Sequence, residues 1–486
     1  MDTKETQIKN KGLILVNVVL LTFMACLDGS IVNVALPVMA GYFSVGMNSI
    51  AIIVSVYLVT ITAAILIFGR LGDIFGTTKI FMLGTAVFTI GSFLCAISNS
   101  MNLLVIARVI QAIGAAGYMA TNQGIITRVF PANERGRALG ILGSAVALGN
   151  LVGPPLGGFI IDIASWKYIF LINIPIGIFA FILGIKILPK NGKSVKAKFD
   201  VKGALLYITF IISLFGALLY GQKMGFTSPI IIGGFVLAVI AFILFVKIEK
   251  NEDSPLLELG IFKNRLFSLS ILCGFLLFVS MSFSNIILPF YFQDALKLTP
   301  AMTGLYMMTY PLVLIVVAPV SGYLSDRIGS ELLTFLGLVI FSIGFFLMAT
   351  LNQNFEPIKL VLFIAVMSLG NGLFQSPNNS LIMSTVPRNR LGIAGSINAL
   401  VRNLGLVLGI TMSTLVLYGV MSSRLGYAVT TFINGKEAQF CYAMSVAFVS
   451  AGAISFTGAI LTAIRLFRKR KSARADIKGD MPDTSE

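Results

Sequence analysis

The sequence predicts an all-α integral membrane protein, built as two six-helix bundles related by pseudo-two-fold symmetry with two further transmembrane helices between them. Three observations predict it. Apolar runs long enough to cross a bilayer follow one another along the whole chain. Basic residues gather in alternate connecting segments. Two short motifs recur about half a chain later at nearly equal offsets.

The composition supports the first point. Of 486 residues, 57% are hydrophobic and only 12% charged, and a spanning helix needs roughly 20 apolar residues. The 47 glycines fit membrane helices, which use small residues for close backbone approach. The net charge of +16 would point to nucleic acid in a soluble protein. Here the charge lies in loops and in the terminal run Arg468-Lys469-Arg470-Lys471, which suits a juxtamembrane anchor on anionic lipid, so no nucleic-acid partner is expected. Cys26, Cys95, Cys273 and Cys441 lie far apart in apolar segments, without metal or disulfide spacing. The first apolar run is too long for a signal peptide's core and carries Asp28, so no cleavable signal is expected.

Hydropathy places spans at 12–40, 49–68, 78–98, 101–124, 136–162, 167–188, 201–220, 229–247, 267–293, 300–325, 332–351, 357–383, 392–420 and 438–465. An even count puts both termini on one side. With that side cytoplasmic, the inner segments hold Lys4, Lys9, Lys11, Arg70, Lys79, Arg128, Arg135, Arg137, the group at 186–202, Lys247, Lys250, Lys263, Arg265, Arg327, Arg388, Arg390 and the tail. The outer loops hold only Lys167, Lys223, Lys297, Lys359, Arg424 and Lys436. The positive-inside rule therefore puts both termini in the cytoplasm. The Ile- and Lys-rich, single-Trp composition fits a prokaryotic plasma membrane.

The repeat sets the domain organisation. Gly69-Arg70-Leu71-Gly72-Asp73-Ile74-Phe75-Gly76 and Gly322-Tyr323-Leu324-Ser325-Asp326-Arg327-Ile328-Gly329 share Gly-x-Leu-x-Asp-x-x-Gly at an offset of 253. Asn122, Pro131 and Gly136 match Asn378, Pro387 and Gly392 at an offset of 256. The expected units are a tail at 1–11, a six-helix bundle at 12–188, a linker with two inserted helices at 189–265, a second bundle at 266–465 and a basic tail at 466–486. Parallel repeats of this kind place a substrate site between the halves.

Asp28 is the most telling residue. A carboxylate at membrane depth costs at least ~2.5 kcal/mol by insertion scales, so it needs a partner or a use. The chain has no His, so Asp28 is the first candidate to carry protons or meet a cationic group. At about sixteen residues into its span, or about 24 Å, it is expected in the outer half. The alternative is a structural Asp bonded to nearby backbone or to Asn33. Arg108 and Gln111, three apart, share a helix face. An intramembrane Arg keeps its proton and needs a carboxylate, carbonyls or water; its alternative reading is a packing donor. Arg402, inside span thirteen beside Asn403, poses the same puzzle and reads as structural. Gly149, Gly153 and Gly157, with Pro154, Pro155 and Gly158, put glycines four apart for backbone contact, beside two prolines that remove helix hydrogen bonds.

In combination these segments resemble the major facilitator superfamily, of the fourteen-span drug:proton antiporter type. They are Leu27 to Pro37 around Asp28, Gly69 to Lys79 with its repeat, Arg108 to Ala116, and Gly149 to Gly158. The resemblance implies proton coupling through Asp28 and Arg108. It implies a latch between halves at Gly69, Asp73 and Gly76, with Arg135 and Arg137 as partners and Asp326 in the repeat. It also implies an antiporter motif at Gly149, Gly153, Pro154, Pro155, Gly157 and Gly158. Ile74, Thr77 and Thr78 stand where the family carries basic residues, so a weaker inner latch is expected.

Cavity residues are expected at Asn33, Gln111, Asn122 and Gln123 in the first half, and at Ser280, Ser284, Asn285, Gln293, Gln375, Asn378 and Asn379 in the second. Phosphate loops, His-based metal sites and nucleophile elbows are absent from the sequence, so neither enzyme chemistry nor a cofactor or metal is expected. The reading is a monomeric exporter of small amphipathic compounds, neutral or monovalent cationic, in exchange for protons. Proton-coupled lipid, metabolite or uptake transport on the same scaffold is the rival. A non-transporting receptor or structural membrane protein is the other alternative, and embedded Asp28 and Arg108 argue against it.

Overall fold

A computed structural model describes residues 10–189, 199–252, 255–257, 259–354, 356–386 and 391–479. The extreme tails and the segment 190–198, with its basic residues, lie outside the described residues. Fourteen long helices carry the chain. The first six are α1 (Lys11–Phe43), α2 (Ile52–Phe75), α3 (Thr77–Ala96), α4 (Met101–Val129), α5 (Ala132–Ile163) and α6 (Tyr168–Ile187, broken at Ile172). Next come α7 (Val201–Met224) and α8 (Pro229–Glu249). The last six are α9 (Arg265–Phe290), α10 (300–328, broken at Met308), α11 (Ser330–Met348), α12 (Pro357–Ser384), α13 (Leu391–Leu425) and α14 (Glu437–Gly479). Among the described residues, 13 of them are long and apolar enough to cross a membrane. In α5 the apolar stretch whose side chains are described is Leu148–Ile163. A chain of this kind is a multi-pass membrane protein.

Local chemistry sets the helix ends. The Ser100 hydroxyl accepts from the Leu103 amide and starts α4. Asn264 accepts from the Leu266 and Phe267 amides and starts α9. Thr299 caps α10, with Pro300 at its first position. Between α2 and α3 the chain reverses at Gly76, φ 101°, and between α10 and α11 at Gly329, φ 91°. Both matching motifs thus end on a glycine whose backbone angle disfavours side chains.

The repeat extends to packing. A Cβ on Gly114 of α4 would lie 2.2 Å from the Phe88 amide of α3, and one on Gly370 of α12 would lie 2.2 Å from the Phe341 amide of α11. Gly149 of α5 abuts the Phe23 carbonyl and Cys26 of α1; Gly405 of α13 abuts the Phe275 carbonyl and Phe278 of α9. In each half the first helix packs on the fifth, the second on the fourth, and the third on the fourth and sixth. The halves meet where α5 packs on α10 and where α2 packs on α13, which are equivalent pairs. The inserted α7 and α8 pack on each other, and α7 touches α2 and α13.

Apolar packing joins the halves at the end away from the termini. There one core cluster runs from Ile31–Met39 of α1 through Trp166 and Phe170 to most of the second half. Nearer the terminal end, a second cluster around Ile14, Leu66, Phe81 and Tyr118 takes in the inserted helices and, from the second half, Leu400 and Val407 of α13.

The glycine contacts give a test of packing. Gly114→Ala forces a methyl group into the α3 backbone and is expected to destabilise by about 1–3 kcal/mol. Gly69→Ala meets nothing within 4 Å and should leave stability unchanged. Melting temperatures of the detergent-purified variants check both.

Candidate functional site

Asp28 sits near the middle of the 33-residue α1 and is fully buried. Because α1 continues to Phe43, Asp28 lies at mid-helix and not in the outer half expected from the shorter span. Its carboxylate accepts three hydrogen bonds. Arg108 Nη1 donates to Oδ2 at 2.7 Å, Gln111 Nε2 to Oδ1 at 3.0 Å, and Asn173 Nδ2 to Oδ1 at 2.9 Å.

The partners are themselves held. Arg108 Nη1 also donates to Gln111 Oε1 at 2.6 Å, and Gln111 Nε2 to Ser92 Oγ at 2.8 Å. The guanidinium lies 4.0 Å from the Tyr57 ring centre and 5.6 Å from that of Phe170, a cation–π cage on two sides. Five helices, α1, α2, α3, α4 and α6, thus converge on one charge pair. Gly91 makes the approach possible: a Cβ there would lie 2.5 Å from the Gln111 Cα.

Asp28, Arg108 and Gln111, expected separately as coupling and cavity residues, form a single cluster. Sequence reasoning missed Asn173, Ser92 and Tyr57. Asn173, a lone amide in an apolar stretch before Pro175, was the available signal.

The second half lacks this cluster. Gly344 of α11 meets the Met367 Cα as Gly91 meets that of Gln111, so Met367 and Ile364 stand where Gln111 and Arg108 do. On α9, Ser280 stands in place of Asp28, and its hydroxyl donates to the Ala451 carbonyl at 2.9 Å. The repeat keeps the backbone contacts and replaces the charges.

The other expected cavity residues scatter. Asn122 is buried and donates to Thr22 Oγ1 at 3.3 Å, tying α4 to α1 one layer nearer the termini. Gln123 is exposed and faces Gly395 of α13 across the halves. Asn33 is half-buried, with an unpartnered carbonyl oxygen. Asn285 and Gln375 are half-buried. Asn378 donates to the Ser270 carbonyl at 3.2 Å, and Asn379 accepts from Asn398 at 3.0 Å. Ser284 bonds its own helix at Met281. Gln293 donates to the Val34 carbonyl at 3.0 Å, a bond between the halves.

In the expected latch, Gly76 makes the turn, Gly72 packs against Thr121, and Gly69 has open space. Asp73 is exposed and does not cap α3; Arg70 is its electrostatic neighbour. Arg135, Arg137 and Asp326 lie in helices, but their side chains are outside those described.

The glycine-proline segment of α5 has two faces. Gly149, Gly153 and Gly157 abut α1 at Phe23, Cys26, Ser30 and Ile31, the turns on either side of Asp28, and Ser30 Oγ donates to the Gly149 carbonyl at 3.1 Å. Gly158 abuts the Pro300 carbonyl of α10, and Gly304 of α10 abuts the Pro154 carbonyl; a Cβ on either would lie 2.2 Å away. Pro155 adjoins the same Gly304 contact through its Cα.

The sequence matches the Major Facilitator Superfamily over residues 18–410 and again over 270–482. This chain belongs to the major facilitator superfamily. It is a membrane transporter, not an enzyme. It is 36% identical over 467 residues to the riboflavin transporter RibZ of Clostridioides difficile strain 630, covering 96% of this chain and 99% of that one. It is 29% identical over 429 residues to the multidrug transporter protein MdtP of Bacillus subtilis strain 168, covering 88% and 78%. A crystal structure of a POT family transporter with a thioalcohol-conjugated peptide superimposes with a TM-score of 0.70, covering 94% of this chain and 96% of that one. At 16% identity it speaks for the fold alone.

Arg108→Leu leaves Asp28 buried without its cation and should destabilise the protein by about 3–5 kcal/mol. Adding Asp28→Asn should recover part of the loss. Thermal melts of the single and double variants check the coupling.

Proposed function

We propose that this major facilitator exports small amphipathic compounds in exchange for protons, with Asp28 as the proton carrier and Arg108 as its internal counter-ion. The supporting observation is the bonding pattern at Asp28. Oδ1 accepts two N–H groups and Oδ2 accepts one from Arg108. This is the pattern of a carboxylate, since a carboxylic acid would have to donate. A proton arriving on Oδ2 removes the charge that holds Arg108, and the guanidinium is then drawn toward other acceptors. Proton loading is thereby tied to rearrangement of α4 against α1.

The α5 segment supplies a path from that event to the other half. It touches the Asp28 turns of α1 on one face and α10 on the other. Smooth glycine faces permit sliding, and the two prolines leave α5 with fewer internal bonds to break. The larger apolar seam between the halves lies at the end away from the termini, with Leu400 and Val407 the buried second-half residues in the cluster nearer the termini, which suits a carrier open toward the terminal side. With both termini cytoplasmic and the protein in the plasma membrane, that is the side from which an exporter loads. The protein acts as a monomer in this reading, and Gln123 and Asn379 face its central path.

A cation preference followed from treating Asp28 as open to cargo. Since the carboxylate is fully buried and bonded, the preference forms no part of this proposal. The identity with the riboflavin transporter favours a second reading, in which the cargo is a polar metabolite moved by the same machinery.

Efflux from proteoliposomes under an imposed pH gradient tests the proposal, with ethidium and riboflavin as parallel cargoes. Gradient-driven flux of at least one is expected in the native protein, falling to the leak in Asp28→Asn while cargo binding persists. Undiminished gradient-driven flux in Asp28→Asn removes Asp28 from coupling. Flux of riboflavin alone supports the metabolite reading.

A further inference from the structure

Arg402 is a second intramembrane cation, and unlike Arg108 it has no acid. Among the described residues it makes neither an ion pair nor a hydrogen bond, and its Nε is buried without a partner. It lies on α13, about 17 Å along the helix from Leu391 at 1.5 Å per residue, and inside the candidate membrane span Ile397–Leu425. On the same helix, Gly405 and Gly409 pack on α9, while Gly395, seven residues before Arg402 and so on the same face, meets Gln123 of the first half. Gly405, one turn on, abuts Phe275 and Phe278 of α9, the repeat equivalents of Phe23 and Cys26, which precede Asp28 on α1. Arg402 therefore faces the junction between the halves, on the terminal side of the proton site.

A guanidinium at this depth without a carboxylate is expensive to keep, and it offers planar donors that match carboxylate and phosphate oxygens. The Asp28 and Arg108 charges cancel each other within their own cluster, which leaves the Arg402 charge without a local counter-ion among the described residues.

We infer that Arg402 is a cargo-binding residue that receives an anionic oxygen group of the transported compound, a carboxylate or a phosphate. This rests on the transport reading above. It predicts that the carrier handles an amphipathic anion better than the same molecule with that group masked.

The test is proton-driven export from proteoliposomes of the full chain, using a fluorescent aromatic carboxylate and its neutral methyl ester. In the native protein the carboxylate should show the lower half-saturating concentration. Arg402→Gln should raise that value for the carboxylate by about ten- to a hundredfold, the size of a charge-assisted hydrogen bond. The ester should change little, and Arg402→Lys should restore part of the carboxylate preference. Equal loss for both probes, with Arg402→Lys no better than Arg402→Gln, means a packing role and overturns the inference. Equal handling of both probes by the native protein and Arg402→Gln also overturns it. A lipid phosphodiester carries the same chemistry. A carboxylate effect of Arg402→Gln that persists in vesicles of zwitterionic lipid alone supports cargo; one confined to vesicles containing phosphatidylglycerol overturns the assignment to cargo. Ester flux that still follows the pH gradient keeps the proton-coupled reading intact when the anion inference fails.

Discussion

An ion pair placed among membrane helices has to be completely hydrogen-bonded, because neither lipid nor packed side chains can replace water around it. That requirement at Asp28 and Arg108 organises the first half of this protein. It fixes α4 against α1 through the pair itself, α6 through Asn173, α3 through Ser92, and α2 through the Tyr57 ring. Small residues on α3 let the backbones come close enough for these bonds to form. Each bond that the Asp28 carboxylate makes is accepted from an N–H, and the one on Oδ2 comes from its counter-ion, so a change in the charge of Asp28 acts directly on Arg108.

The two halves show what is scaffold and what is chemistry. They share the glycine contacts between equivalent helices, the reversal at Gly76 and Gly329, and the pairing order of their helices. They differ where Arg108, Gln111 and Asp28 give way to Ile364, Met367 and Ser280. One half is charged and cross-linked by side chains, and the other is apolar and packed. Arg402 then stands out in the second half as a charge that the local packing does not neutralise.

Much of the fold was legible because membrane helices obey two simple rules, length and apolar content. Most spans came out within a few residues, though α2 runs on to Phe75 and α14 to Gly479, through the charged stretch expected as a tail, and the repeat followed from two motif offsets. The start of α5 at Ala132, several residues before the apolar run, was not legible, since charged residues such as Glu134 belong to the helix but not to the hydrophobic stretch. Asp28, Arg108 and Gln111 were legible because each is conspicuous in apolar sequence. Their union was not, since it depends on how α1 and α4 rotate. Asn173 and Ser92 escaped because single small polar residues occur throughout membrane helices. The glycine-proline segment was legible as a packing surface, but its second face, on α10, belongs to tertiary structure alone.

The central claim is that Asp28 itself gains and loses the coupled proton. Infrared difference spectroscopy of the reconstituted protein between alkaline and acidic buffer reads this directly, through the carbonyl stretch of a protonated buried carboxyl group. The account predicts such a band on acidification, absent in Asp28→Asn and shifted in Asn173→Ala, where one donor to Oδ1 is gone. A native spectrum without any band that Asp28→Asn removes, across the range in which transport responds to pH, would contradict it.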